Sequence, residues 1–133
     1  DSNSTFDKKD FYANPGKYKC TFATKYLPYI SALFHCIYWE PKFPHYITNK
    51  DLFDLANEKR LRLIGVCDVT CDLDGSIECL SEYTVPEKPF FYYDSLKEIS
   101  SFDASYSYGK IMYLAIDFLP CELAYDACKF IFI

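Results

Sequence analysis

The chain has 133 residues, with 19 acidic against 14 basic side chains and a formal charge of −5. That length suits one domain with a sizeable core. The Lys and Arg residues are scattered and form no basic stripe, which disfavours a nucleic-acid partner. Half the residues are apolar, including 13 Tyr and 12 Phe, so disorder is expected only at the polar N-terminus, where residues 1–9 read as a tail.

In chain order, Asn14-Pro15-Gly16 is turn chemistry, and KYKCTFATKYLPYI after it spaces apolar residues at three- and four-residue intervals, predicting a helix that Pro28 ends or kinks. Ser31 to Trp39 is short, aromatic and continuous, as expected of a strand covered on both faces. Pro41 and Pro44 close it. Thr48 or Asn49 then caps an amphipathic helix, KDLFDLANEK, and a second buried strand follows over Leu61 to Val69. Strand, helix and strand with short links make a βαβ unit with parallel strands. Both strands then end on one sheet edge, which brings Tyr38, Trp39 and Glu40 beside Asp68, Thr70 and Asp72. Downstream, Phe90 to Tyr93 and Lys110 to Ile116 are further strand candidates, separated by a loop over Ser100 to Gly109. Leu119-Pro120 opens a final helix, and the apolar ending KFIFI reads as truncated or docked.

The second strand runs into LIGVCDVTCDLDGSIE, where Asp68, Asp72, Asp74 and Glu78 surround Gly75. Open α/β sheets present polar groups to ligands beyond the carboxyl ends of their strands, so chemistry is expected here. Asp68 and Asp72 are either solvated strand-end and turn-capping residues or carboxylates that hold a substrate amine or a cofactor amide. The segment does not suit calcium. Aligned on an EF-hand loop, its first and twelfth positions are Thr70 and Ser81, and a strand precedes it where a helix is needed. The seven cysteines form no CxxC pair and lie largely inside apolar runs, which suggests buried thiols in a reducing, intracellular compartment. No metal site is expected. Asn3-Ser4-Thr5 is formally a glycosylation sequon, and the thiols argue against its use. No signal pattern or apolar span of about 18 residues is visible, so no membrane crossing is expected.

His35, mid-strand, reads as a satisfied core histidine, and His45 as a loop residue with no nucleophile pointing to it. Trp39 and Phe90 to Tyr93 read as packing rather than a stacking platform. The four glycines, Gly16, Gly65, Gly75 and Gly109, cannot form a GxGxxG phosphate-binding turn. Any nucleotide-binding sheet here is the half without that fingerprint.

Four runs carry a family likeness: YLPYISALFHCIYWE (Tyr26–Glu40), VCDVTCDLDGSIE (Val66–Glu78), YTVPEKPFFYYD (Tyr83–Asp94) and AIDFLPCELAYDA (Ala115–Ala127). In order and spacing they resemble the lysine–2-oxoglutarate reductase region of α-aminoadipic semialdehyde synthase, of the alanine dehydrogenase and pyridine nucleotide transhydrogenase group. The resemblance implies an α/β fold, a partial Rossmann-like doubly wound sheet, mostly parallel and lacking the glycine-rich first βαβ unit. Residues 10–133 would be the C-terminal part of the cofactor-binding domain with the start of the returning helix. It implies NADPH as cofactor, with NADH left open, lysine and 2-oxoglutarate as substrates, saccharopine as product, and the parent's remaining domains as partners. Animal relatives are mitochondrial. By the same resemblance Asp72 is the functional carboxylate near the nicotinamide and substrate, and Asp68 is structural. Ile37 and Tyr38 pass along the cofactor, and Ile116 to Leu119 lie beside the nicotinamide ring. One departure is Asp74, where the family carries a first glycine. The family's acid/base Lys and His lie upstream. Alternatives are a non-catalytic α/β binding or regulatory module and an alanine dehydrogenase-like enzyme.

Overall fold

A computed structural model describes residues 6–117 together with Lys129. The expected final helix, Leu119, Cys121 and Cys128 lie outside the described residues. Three α-helices, α1 (Lys8–Ala13), α2 (Phe22–Lys25) and α3 (Asn49–Asn57), accompany five strands. The strands are β1 (Ala32–His35), β2 (Gly65–Asp68), β3 (Phe90–Asp94), β4 (Ile99–Ser101) and β5 (Lys110–Leu114). They form one open sheet in the order β1-β2-β5-β3-β4.

The βαβ reading holds. β1 and β2 are parallel neighbours joined through α3, with His35 opposite Asp68. Thr48 starts α3 with a reciprocal capping box, its hydroxyl accepting from the Asp51 amide while the Asp51 carboxylate accepts from the Thr48 amide. Leu52, Leu55 and Ala56 on the inner side of α3 join the core.

The sheet is less parallel than expected. β5 continues the parallel set beside β2, but β3 runs antiparallel to both β5 and β4. The turn after Asp94 accounts for the β3–β4 pairing. The Asp94 carboxylate accepts from the Leu96 and Lys97 amides, reversing the chain within a few residues. A tight hairpin can only give antiparallel neighbours. β4 takes up Ile99 to Ser101, so the expected loop starts later than Ser100.

Other expectations change for local reasons. The helix expected over residues 17–30 is broken into a 3-10 turn at Pro15–Lys17, the single turn α2 and a second 3-10 turn at Leu27–Tyr29. In α2 and the second 3-10 turn only Ala23, Leu27 and Pro28 are buried, so no continuous apolar stripe rewards a longer helix. α1 begins at Lys8, inside the segment read as a tail. The Asp7 carboxylate caps it, accepting from the Lys9 and Asp10 amides.

Register sorts the sheet into two unlike faces. Val66, Tyr113 and Phe91 face one way and are buried, with the Phe91 and Tyr113 rings stacked at 5.0 Å. Phe34, Cys67, Leu114 and Phe90 face the other way, where Phe34 is 75% exposed. β1 is therefore not covered on both faces as its sequence suggests. Among the described residues it is an edge strand, and its ladder ends at His35.

Candidate functional site

The carboxyl ends of β1 and β2 meet in a buried polar knot. Asp68, the last residue of β2, is 2% exposed and accepts five hydrogen bonds. Its Oδ1 receives His35 Nδ1 at 3.0 Å, Thr70 Oγ1 at 2.8 Å and the amides of Thr70 and Cys71, both at 3.1 Å. Its Oδ2 receives the Tyr113 hydroxyl at 3.1 Å. Burial opposes the charge on Asp68, yet the hydrogen bonds from His35, Thr70 and the Cys71 amide win, and its carboxyl is held below the ordinary range. The same burial, with the Asp68 charge beside it, pushes the Cys71 thiol up to about 12.

From this knot the chain turns sharply through residues 70–76. Cys71 and Asp74 take left-handed backbone conformations, with φ of +52° and +48°. Asp tolerates that conformation. The Gly75 amide donates to the Asp72 carbonyl at 3.0 Å. A Cβ on Gly75 would come within 2.4 Å of the Asp72 Cβ, so the backbone packs here as only glycine allows. Gly75→Ala is expected to cost about 1–3 kcal/mol and to displace Asp72, measured as a lowered urea midpoint.

Two histidines hold the turn. His35 reaches it from β1, its Nε2 2.9 Å from Ser76 Oγ. His45 also reaches it, with Nδ1 donating to the Gly75 carbonyl at 2.5 Å and its ring stacked on Trp39. The shared rim expected for Trp39 and the acidic turn is therefore present, linked through His45. Trp39 is more than packing, since it also lines a cavity.

The four carboxylates of the turn divide by role. Asp68 is the structural hub, as expected. Glu78 accepts from the Asn49 amide at 2.7 Å, at the start of α3. Asp74 is exposed. Asp72 is half-buried and makes no side-chain hydrogen bond among the described residues. Burial, and then the negative charges of Asp68 and Asp117, raise its carboxyl above the ordinary range, while His35 partly offsets them. A half-buried carboxylate in a negative field, with no internal donor, suits a cationic ligand. Asp117, just past β5, belongs to that field and was not singled out from sequence.

Beside the turn lies a cavity of about 570 Å³, walled by Ile37, Tyr38, Trp39, Phe43, Tyr46 and Ser76 and closed by aromatic residues of α1 and its flanks. Ile37 and Tyr38, expected along a cofactor, are thus in its wall. Ile116 is not; it is buried and bridges to Thr84. The Phe90 to Tyr93 run packs in the sheet as expected. Among the described residues no group of His, Cys, Asp or Glu is arranged to hold a metal ion, and Cys20, Cys36, Cys67, Cys71 and Cys79 are free thiols. No described helix is long and apolar enough to cross a membrane.

The chain is an open α/β sheet with an acidic turn and an aromatic cavity at the ends of its parallel strands, the place where sheets of that class commonly take ligands. No family model matches the chain. It is 41% identical over 129 residues, 97% of its length, to the alpha-aminoadipic semialdehyde synthase of Arabidopsis thaliana. It is 28% identical over 142 residues to the mitochondrial alpha-aminoadipic semialdehyde synthases of Mus musculus and Bos taurus, again across 97% of the chain. The chain therefore matches a region of alpha-aminoadipic semialdehyde synthase. It spans 12% of the plant protein and 15% of the mammalian ones.

Proposed function

We propose that this chain is the C-terminal part of a partial Rossmann-like cofactor-binding domain in a saccharopine-forming reductase, which condenses lysine with 2-oxoglutarate. The observation that carries this reading is Asp72: a half-buried carboxylate with no side-chain donor among the described residues, at the carboxyl ends of parallel strands. The aromatic wall fits the ring end of a nicotinamide cofactor. The phosphates have no cradle here, because the sequence has no glycine-rich turn, and that half is assigned to the parent's preceding segment.

When bound, NADPH supplies the hydride that reduces the imine formed between the lysine amine and the keto carbon. The residues of this chain position and stabilise. Asp72 faces the amine as an electrostatic partner, stabilising positive charge on nitrogen as water is lost. Ile37 and Tyr38, in the cavity wall, would hold the ring end of the cofactor and exclude water there. Asp68, His35 and Ser76 keep the turn in place. The acid and base for proton transfer are assigned to upstream residues of the parent.

The full-length parent is expected to oxidise NADPH only when lysine and 2-oxoglutarate are both present. The isolated chain is expected to oxidise none. Turnover with alanine in place of lysine, or by the chain alone, would contradict the reading.

A further inference from the structure

We propose that Ser76, His35 and Asp68 form an acyl-transfer triad at the wall of the aromatic cavity, able to cleave esters that carry an apolar acyl group. This inference stands apart from the reductase reading. Its groups come from three places in the fold: the end of β1, the end of β2 and the acidic turn. Ser76 Oγ is 2.9 Å from His35 Nε2, and His35 Nδ1 is 3.0 Å from Asp68 Oδ1. Nucleophile, base and orienting carboxylate are recognised by such geometry and not by order along the chain.

The proton positions follow from the partners. A carboxylate oxygen only accepts, so in the neutral ring the proton sits on Nδ1 and Nε2 is a bare lone pair. The Ser76 hydroxyl must then donate to His35, which orients Oγ for attack. The Thr70 hydroxyl lies 3.1 Å from the same Nδ1 but donates to Asp68 at 2.8 Å. It therefore supports the carboxylate and does not compete for the base. Ser76 is buried yet contributes to the cavity wall alongside Tyr38, Trp39 and Tyr46, which favours an apolar acyl group. The backbone amides of Ser76 and Ile77 donate to no other described residue and are the available donors to an oxyanion, as the amide after the nucleophile is in serine esterases.

In the first step Oγ bonds to the ester carbonyl carbon while its proton passes to His35 Nε2. The intermediate then breaks the bond to the alkoxy oxygen, which leaves as an alcohol carrying that proton. Water repeats the sequence on the acyl-serine, releasing the carboxylic acid and restoring the hydroxyl. No redox partner is needed.

The test treats the full-length protein containing this chain with a fluorophosphonate, which phosphonylates activated serines with loss of fluoride and spares the many thiols. Peptide mapping by mass spectrometry is expected to place the adduct on Ser76. Ser76→Ala should abolish labelling of that peptide, and His35→Gln should slow it by about 10²-fold or more, the usual worth of a general base. Circular dichroism reports whether each variant is folded. If Ser76→Ala does not fold, the wild-type peptide map decides alone. A folded wild-type protein whose Ser76 peptide stays unmodified would overturn the proposal, as would labelling of that peptide at an unchanged rate in folded His35→Gln.

Discussion

Replacing Asp68 with alanine is expected to destabilise the fold by about 3–5 kcal/mol, the range for removing one partner from a buried charged network. The carboxylate is the common acceptor for His35, Thr70, the Cys71 amide and Tyr113, which come from β1, the turn and β5. Without it, several donors are left in a region that water does not reach, and each unmet group adds to the cost. The left-handed Cys71 backbone also loses the hydrogen bond that holds it. Urea unfolding of the variant beside the parent sequence measures the loss, and an unchanged midpoint would contradict the hub role. The pH dependence has a defined sign. The folded carboxyl lies below its unfolded value of about 3.9, so its contribution is complete above that value. It is lost as pH falls through the folded value. Asp68→Ala should therefore remove part of the acid sensitivity of folding.

The second large effect is expected in the full-length enzyme. Asp72→Asn should lower kcat/KM for lysine by about 10²-fold, as loss of one preorganised electrostatic partner commonly does. Asparagine keeps the shape of the side chain and removes its charge. Because no described donor binds the Asp72 side chain, folding should be nearly untouched, and equal thermal midpoints for the two proteins check this. Burial and the nearby Asp68 charge raise the Asp72 carboxyl. The active, ionised form is therefore lost at a higher pH than for an ordinary carboxylate, and activity falls as pH drops through that raised value. The substitution should also erase this acid limb. Near-normal turnover by Asp72→Asn would favour a non-catalytic module.

The parts of the fold that were legible in the sequence are those held by local rules. A Thr48 or Asn49 cap before an amphipathic run announced α3, and the apolar run into Asp68 announced β2 and the turn beyond it. The placement of Trp39 near that turn followed from the handedness and parallel pairing of one βαβ unit. What stayed hidden depends on distant partners. His35 looked like an inert core residue because Ser76, the group that gives it a possible role, lies 41 residues away. The antiparallel pairing of β4 with β3 is set by a short Asp94 turn that resembles any other polar link. The helix expected over residues 17–30 had a suitable spacing, yet no matching surface to bury it against. Phe34 read as doubly covered because an aromatic run carries no record of which strand lies at an edge.

The turn that bears Asp72 is fastened at Gly75 by His45 and at Ser76 by His35. On the reading proposed for Asp72, an arriving cation would meet a turn whose backbone is already fixed. Little configurational freedom remains to be surrendered on association, so most of the attraction survives as affinity.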